Sequence, residues 1–561
     1  MNNKTHTYDA IVVGSGISGG WAAKELCEKG LKTLVIERGR DVKHGDYPTA
    51  NKDPWDLPHK GAVPEEEMAR DFFKQKRGPF INEYNKHFML KDSDHSYDEP
   101  NRFDWIQGNQ VGGKSLTWGR QCYRLGDIDF EANAKEGIGV DWPIRYKDIA
   151  PWYDYVEKFV GISGEKLGLP QLPDGPFIKP MEMTCVEKHL RESMMDKFGR
   201  HLTIGRCANL TEAVEGRGPC QFRNRCKRGC PFKGYFSSVT ATLPVAEATG
   251  NLSMLPDTLV ESVIYDDEKG VATGVRVLNQ LTMETTEYFA KVIFLNASAL
   301  ASTAILLNSR SKRFPNGLGN DSDQLGRNLM DHHYRAGARG SFEGFKDKYH
   351  KGRRPNGIYI PRFRNLDEKS KHPDFIRGYG YQGQGMRSNW SRGAYWKGFG
   401  EDFKNEIMYP GDWNMNILAF GETLPYEDNT IKLNFDKLDK WGQPTKVIDA
   451  TIRENEYAMR KDMKSSAVEM LEAAGFKNIE GYDQEPILGA CIHEMGTARM
   501  GRDAKTSVLN GYNQVHAAKN VFVTDGAFMT SSACQNPSIT YMAMTARAVD
   551  HAVSELNKRN L

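Results

Sequence analysis

At 561 residues the chain is too long for one compact core, and two domains are predicted. Its 75 Lys and Arg against 73 Asp and Glu leave a formal charge of +2, a balance that calls for neither nucleic acid nor an acidic membrane surface as a partner. No apolar run reaches the roughly 18 residues of a spanning helix, so no transmembrane segment is predicted.

The N-terminal MNNKTHTYD leads straight into a strand without an apolar signal region, so the chain is expected to carry no export address of its own. A short, fully buried strand is predicted over 10–13. Gly14, Gly16 and Gly19 then give GxGxxG, a helix follows over 21–29, and a second strand over 33–36 ends at Glu37. Glycines in this order allow a tight turn and let backbone approach a pyrophosphate at a helix N-terminus, while an acid just past the second strand can accept bonds from ribose hydroxyls. Because strand, glycines, helix, strand and acid all fall in sequence, a dinucleotide site is predicted.

Residues 40–104 are charged, proline-punctuated and poorly periodic; so long an insertion reads as a lid, an interface or a solvated loop. Residues 105–121, WIQGNQVGGKSLTWGRQ, form a second glycine-rich stretch around Gly108, Gly112 and Gly113, suited to passing close to a flat ring system.

The nine cysteines are an odd count, which argues against a plain disulfide framework. Three of them, Cys220, Cys226 and Cys230, make C-x5-C-x3-C-P within RGPCQFRNRCKRGCPFKG at 217–234. Thiolates gathered by one short loop can hold iron–sulfur, and Arg217, Arg223, Arg225, Lys227, Arg228 and Lys233 supply positive charge to offset an anionic cluster. Zinc, with Cys207 as fourth ligand, and a loop of free or disulfide-bonded cysteines are the alternatives.

Residues 240–335 return to the nucleotide domain with β-rich segments and the strand–helix VIFLNASALASTAILL. Over 336–480 β-like runs mix with an aromatic section in which Trp390, Tyr395, Trp396 and Phe399 could stack on sugar faces or simply pack a sheet; an amphipathic helix is predicted at 454–476. The C-terminal part holds CIHEMGTARMG, then a β-run at 521–523 ending in Thr524-Asp525-Gly526, then a helix-like segment. His493 can take a proton near neutral pH, and Asn536 offers a donor and an acceptor to a substrate hydroxyl.

Taken together, the N-terminal fingerprint, the Val111-Gly112-Gly113 loop, DWPIRYKDIAPWYDYVE, VIFLNASALASTAILLNSR, LGRNLMDHH and the two C-terminal segments resemble, in order, the glucose–methanol–choline (GMC) oxidoreductase family. The resemblance implies an α/β fold: a Rossmann-type FAD-binding domain (1–335 and 481–561, with the insertion 40–104 and the Cys-rich loop 217–234) and a substrate-binding domain (336–480) with an antiparallel sheet and flanking helices. It implies that FAD is held by Gly14, Gly16, Ser18, Gly19, Glu37, Arg38, Gly112, Gly113, Ser115, Asp525, Gly526, Asn536, Pro537 and Ser538. It makes His493 the catalytic base and Asn536 the second catalytic position. Some relatives tether FAD through a His near the Gly-Gly loop; Leu116, Thr117 and Trp118 stand here, so FAD is expected to be non-covalent.

The expected activity is oxidation of a sugar or glycoside ring hydroxyl, at C3, to a ketone. The cysteine spacing resembles that of bacterial family members with a 3Fe-4S cluster, which pass electrons to a c-type cytochrome and reach the periplasm bound to a small signal-bearing subunit. A cytoplasmic location is the alternative. The rival activities are a soluble pyranose or glycoside oxidase that releases H2O2, and a flavin-binding scaffold or electron relay without substrate oxidation.

Overall fold

The computed structural model describes residues 7–78, 80–350, 354–389, 392–393 and 396–561. Five short apolar strands lie parallel in the spatial order Leu252–Leu255, Thr33–Ile36, Thr7–Val13, Thr285–Leu295 and Ala518–Val523. Ala10, Ile11, Val12 and Val13 are buried on both faces, the pattern expected of a strand covered by helices on either side. The register sets Val13 opposite both Ile36 and Leu295, and Leu295 opposite Val523. The residues just beyond those strand ends, Gly14, Glu37, Asn296 and Thr524, therefore reach one carboxyl edge, where ligands of open parallel sheets bind. The first half of Thr285–Leu295 turns to other work, pairing antiparallel with Val271–Asn279, which pairs with Thr258–Asp266.

The helix after the first strand is Ile17–Glu28, starting four residues before the predicted position. Gly19 and Gly20 thus lie inside a helix, where glycine is ordinarily unfavourable. Close packing explains both. A Cβ on Gly19 would stand 1.9 Å from the Gly14 carbonyl oxygen, and one on Gly20 2.5 Å from Thr242 Oγ1. The C-terminal helix Ser538–Asn557 packs on Ile17–Glu28 and on Tyr146–Val160, so the end of the chain closes the same layer as its start.

A second, antiparallel sheet has the order Lys477–Asp483, His333–Phe342, Trp413–Gly421, Tyr379–Arg387, Ile358–Ile360, Thr203–Ile204. In Trp413–Gly421 the side chains of Trp413, Met415, Ile417 and Ala419 are buried, in one core with Met459, Met463, Ala467 and Met470 of the helix Glu454–Ala473. Period-two alternation then turns the intervening residues to the other face. Tyr381 bonds the Met463 carbonyl on the helix side, so its neighbour Gln382 faces away from that helix.

Among its described residues the 40–104 insertion holds only short elements, the longest being the helix Glu65–Asp71. It is tied down by polar contacts: the buried Asp92 carboxylate accepts the backbone N–H of Lys74 and Gln75, at 2.8 and 3.0 Å. Its strand Tyr97–Asp98 pairs with Pro444–Asp449. Among the described residues no helix is long and apolar enough to cross a membrane.

Candidate active site

A cavity of about 520 Å³ lies between the carboxyl edge of the parallel sheet and the open face of the antiparallel one. At the first wall Gly14, Gly16, Ser18, Glu37 and Arg38 line it; Gly19 stands behind the turn, against Gly14. Gly14 has φ +94, and a Cβ there would lie 2.5 Å from the Asn296 carbonyl oxygen, so only glycine completes this turn. A Cβ on Gly16 would meet nothing: it would project into the cavity. Glu37 does more than face the cavity. Its carboxylate accepts Ser15 N–H at 3.0 Å, Ser15 Oγ–H at 2.6 Å and Gly39 N–H at 2.8 Å, so it also holds the glycine turn in shape.

The Gly-Gly loop folds over that turn: Gly112 N–H donates to Ser15 Oγ at 2.9 Å. Gly113 and Ser115 line the cavity, while Gly112 packs behind them against Val239. Asp525, Gly526, Asn536 and Ser538 line it from the C-terminal segment; Pro537 sits at the N-cap of Ser538–Asn557 and directs that helix N-terminus toward the space. Asp525 accepts bonds from Ser302 Oγ (2.5 Å) and Ala527 N–H (3.0 Å), and burial pushes its pKa up to about 6.

Several buried polar atoms along the cavity have no protein partner: Nε and Nη2 of Arg38, Oδ1 of Asn296, Oε1 of Glu494 and the Tyr541 hydroxyl. Buried donors and acceptors are nearly always satisfied in native proteins. With the glycine turn and the space over Gly16, these atoms fit a bound dinucleotide.

At the far end His493 and Asn536 meet, His493 Nε2 lying 3.4 Å from Asn536 Nδ2. The loop carrying His493 is anchored by the buried Asp331, whose carboxylate accepts N–H from Gly489 (2.7 Å), His493 (3.0 Å) and Cys491 (3.2 Å). Burial, then the neighbouring His332 and Lys114, hold the His493 pKa well below its ordinary value, so the ring is neutral at physiological pH. Asn536 is oriented from the opposite sheet: Gln382 Nε2 donates to its Oδ1 at 2.6 Å. Tyr334 and Phe420, stacked with centroids 5.8 Å apart, complete this end.

Neither Gln382 nor the Tyr334–Phe420 pair was found from sequence. The aromatic section that suggested sugar stacking does not serve this cavity: Phe399 is 92% exposed, Trp396 is exposed too, and neither lines it. Neither belongs to a strand, and Phe399 is the N-cap of the helix Gly400–Met408. Trp390 and Tyr395 lie outside the described residues.

The thiols of Cys220, Cys226 and Cys230 are free and mutually close enough to interact electrostatically. Burial first, then Cys226, Cys230 and Cys207, push Cys220 up to about 11. Backbone N–H groups point at the sulfurs, from Phe222 to Cys220 at 3.5 Å and from Gly234 and Phe232 to Cys230. Among the described residues only His332, Cys491 and His493 bring three ligand atoms within 4.8 Å of one another, so Cys220, Cys226 and Cys230 do not gather that closely, and Cys207, the fourth ligand of the zinc alternative, lies with its Sγ 3.3 Å from Ser163 Oγ. Nor do all six basic residues ring the thiols. Arg217 is buried on the carbonyls of Phe159 and Val160, Arg223 and Arg228 donate to the carbonyls of Ala50 and Lys52, and Arg225 pairs with Asp53. The loop's charge mostly fastens the 40–104 insertion. That insertion sends Phe80, Asn85, Met89, Leu90 and His95 to the cavity, and the turn Cys226–Arg228 packs on Gly113–Leu116.

Profiles of the GMC oxidoreductase family match residues 8–334 and 425–545. The chain is 25% identical to the fructose dehydrogenase large subunit of Gluconobacter japonicus over 576 residues, covering 100% of both. It is 27% identical over 589 residues to the 2-methyl-1,2-propanediol dehydrogenase of Mycolicibacterium austroafricanum, covering 98% of this chain and 96% of that one. Among solved structures, pyridoxine 4-oxidase from Mesorbium loti superposes with a TM-score of 0.60 at 16% identity, over 97% of this chain and 99% of that one.

Proposed function

The chain belongs to the GMC oxidoreductases, FAD-dependent enzymes that oxidise the CH–OH groups of alcohols and sugars, and from that premise we propose that it is a dehydrogenase of a sugar or glycoside ring hydroxyl, acting at C3. The observation that carries the reading is the neutral His493 beside Asn536 at one end of a cavity whose other end is the glycine turn. The glycine turn, the Gly-Gly loop and the Asp525–Ser538 segment would hold FAD non-covalently, and the bound flavin would supply the hydride acceptor. His493 Nε2 takes the hydroxyl proton. Asn536 Nδ2 donates to the same oxygen and keeps the carbinol C–H aimed in one direction, an orientation effect. The alcohol thus loses one proton and one hydride and leaves as a ketone. Tyr334 and Phe420 offer an apolar face to a sugar ring and keep water from the reacting carbon.

Cys220, Cys226 and Cys230 would hold a 3Fe-4S cluster, which supplies one-electron transfer toward a c-type cytochrome. The N–H groups on their sulfurs and the packing of Cys226–Arg228 on Gly113–Leu116 support this. A small signal-bearing subunit that carries the folded chain to the periplasm completes the proposal, and the Gluconobacter relative, itself a large subunit, fits it. The test is iron and acid-labile sulfide per flavin, with an electron paramagnetic resonance spectrum, on anaerobically purified protein. About three irons per FAD, with a signal lost in Cys226→Ser, is the expected result. No iron, with H2O2 released on turnover in air, would replace the dehydrogenase by the oxidase.

A further inference from the structure

We propose that His332 is a positioning residue that keeps the ring proton of His493 on Nδ1 and so leaves Nε2 as a proton acceptor facing the cavity. The inference rests on the reading of His493 as the base and goes one residue deeper. A neutral imidazole has one N–H and one bare nitrogen, and it serves as a base only when the bare nitrogen faces the substrate. What decides between the two tautomers here is a chain of contacts with a single consistent direction.

His332 Nε2 lies 2.9 Å from the Ala533 carbonyl oxygen and 3.4 Å from that of Ser532. Carbonyl oxygens only accept, so the proton of His332 sits on Nε2. Burial holds the His332 pKa down to about 4, so the ring carries no second proton and its Nδ1 is bare. That nitrogen is 2.9 Å from His493 Nδ1. Two lone pairs cannot face each other at this distance, so His493 Nδ1 donates and His493 Nε2 is the bare atom. Asn536 Nδ2, 3.4 Å away, is a donor suited to it, and Gln382 Nε2 on Asn536 Oδ1 fixes that amide orientation. Donation then runs one way from Gln382 through Asn536, His493 and His332 to the Ala533 carbonyl.

A competitor makes the acceptor necessary. Cys491 Sγ lies 3.4 Å from the same Nδ1 of His493, and a thiol can donate as well as accept. If its S–H donated to Nδ1, the proton of His493 would move to Nε2 and the base would be lost. His332, committed to acceptance by two carbonyls, excludes that arrangement. The stakes are large, since the wrong imidazole tautomer in a Ser-His-Asp triad costs on the order of 10⁴ in turnover.

Two polar variants separate the acceptor from mere packing. In His332→Asn the side-chain oxygen can stand near the place of Nδ1 and still accept from His493; in His332→Gln the amide reaches toward Ala533 but leaves a methylene opposite His493. Flavin content is measured on each, and flavin reduction is followed anaerobically with the best donor from a panel of hexoses, methyl hexosides and 1,2-diols. We expect His332→Asn to stay within about tenfold of wild type and His332→Gln to fall by about 100-fold in kcat with KM little changed. In a His493→Ala background, His332→Gln should cost nothing more. Equal rates for the two variants, or a further loss in that background, overturns the proposal. A wild-type rate in His493→Ala overturns the assignment of the base instead. A readout free of substrate is the solid-state ¹⁵N spectrum of histidine-labelled holoenzyme, with His493 identified by its absence in His493→Asn. A proton on Nδ1 that moves toward Nε2 in His332→Gln is expected, and a wild-type proton on Nε2 overturns the proposal whatever the substrate.

Discussion

Along the parallel-sheet wall a ligand meets backbone: Gly14 at φ +94, the space over Gly16 and the N-terminus of Ile17–Glu28, held in shape by Glu37. Along the facing wall it meets side chains, Gln382, Phe420 and Tyr334, presented by strands whose backbone is already occupied in pairing. His493 and Asn536 stand where the two walls join. At Gly14 a Cβ is barred by the Asn296 carbonyl and over Gly16 it would take up the ligand's own space, whereas a wall of side chains can be exchanged residue by residue while the sheet persists. The first suits a cofactor of fixed shape; the second suits a substrate that differs between relatives of one fold.

That contrast is broken most severely at the junction. His493→Ala should slow flavin reduction by about 10² to 10⁴-fold while FAD content stays near wild type; loss of both together would make the residue structural. In the wild-type protein the active form of His493 is the neutral ring. Burial, His332 and Lys114 depress its pKa, so the rate should hold as pH falls through the ordinary histidine value of 6.5 and decline only below it. A half-maximal rate at or above that pH would show that the environment does not protect the base.

The next largest effect belongs to the backbone wall. A Cβ at Gly14 would lie 2.5 Å from the Asn296 carbonyl oxygen at a φ of +94. Strain of this kind costs on the order of 1 to 3 kcal/mol, roughly a 5- to 150-fold loss of FAD affinity. Gly14→Ala should therefore be purified largely without flavin, judged by visible absorbance per protein. Full flavin content would remove the turn from the cofactor site.

The same contrast explains what could be read in advance. GxGxxG, Glu37 and the Gly-Gly loop were legible because a backbone site must be written in consecutive residues with special φ or no Cβ. The helix begins earlier than its sequence suggests for a related reason: Gly19 reads as part of the glycine turn, yet it lies inside the helix and is glycine because of the atoms packed against it. His493 and Asn536 were legible as residue types in a recurring segment. Gln382 was not, since its partner Asn536 is 154 residues away and is reached only through the order of the antiparallel strands. His332 lay within LGRNLMDHH, but its task depends on two carbonyls some 200 residues further on. The exposed Trp396 and Phe399 are the converse, a suggestive composition without the strand pairing that would aim it inward.

The smallest effect tests whether the side-chain wall does more than shape the pocket. Gln382 contributes one hydrogen bond, Nε2 to Asn536 Oδ1 at 2.6 Å, and a neutral bond of this kind is worth about 1 kcal/mol. Gln382→Ala should thus lower kcat by about fivefold with full FAD content, because the Asn536 amide can then turn over. Gln382→Glu has nearly the same shape but offers only acceptors. To meet it, Asn536 must turn its NH2 toward the carboxylate and its Oδ1 toward the bare Nε2 of His493, where two acceptors repel. The isosteric change should then cost more than the truncation. If Gln382→Glu is the milder of the two, the amide of Asn536 is not set from the antiparallel sheet, and that wall only encloses the substrate.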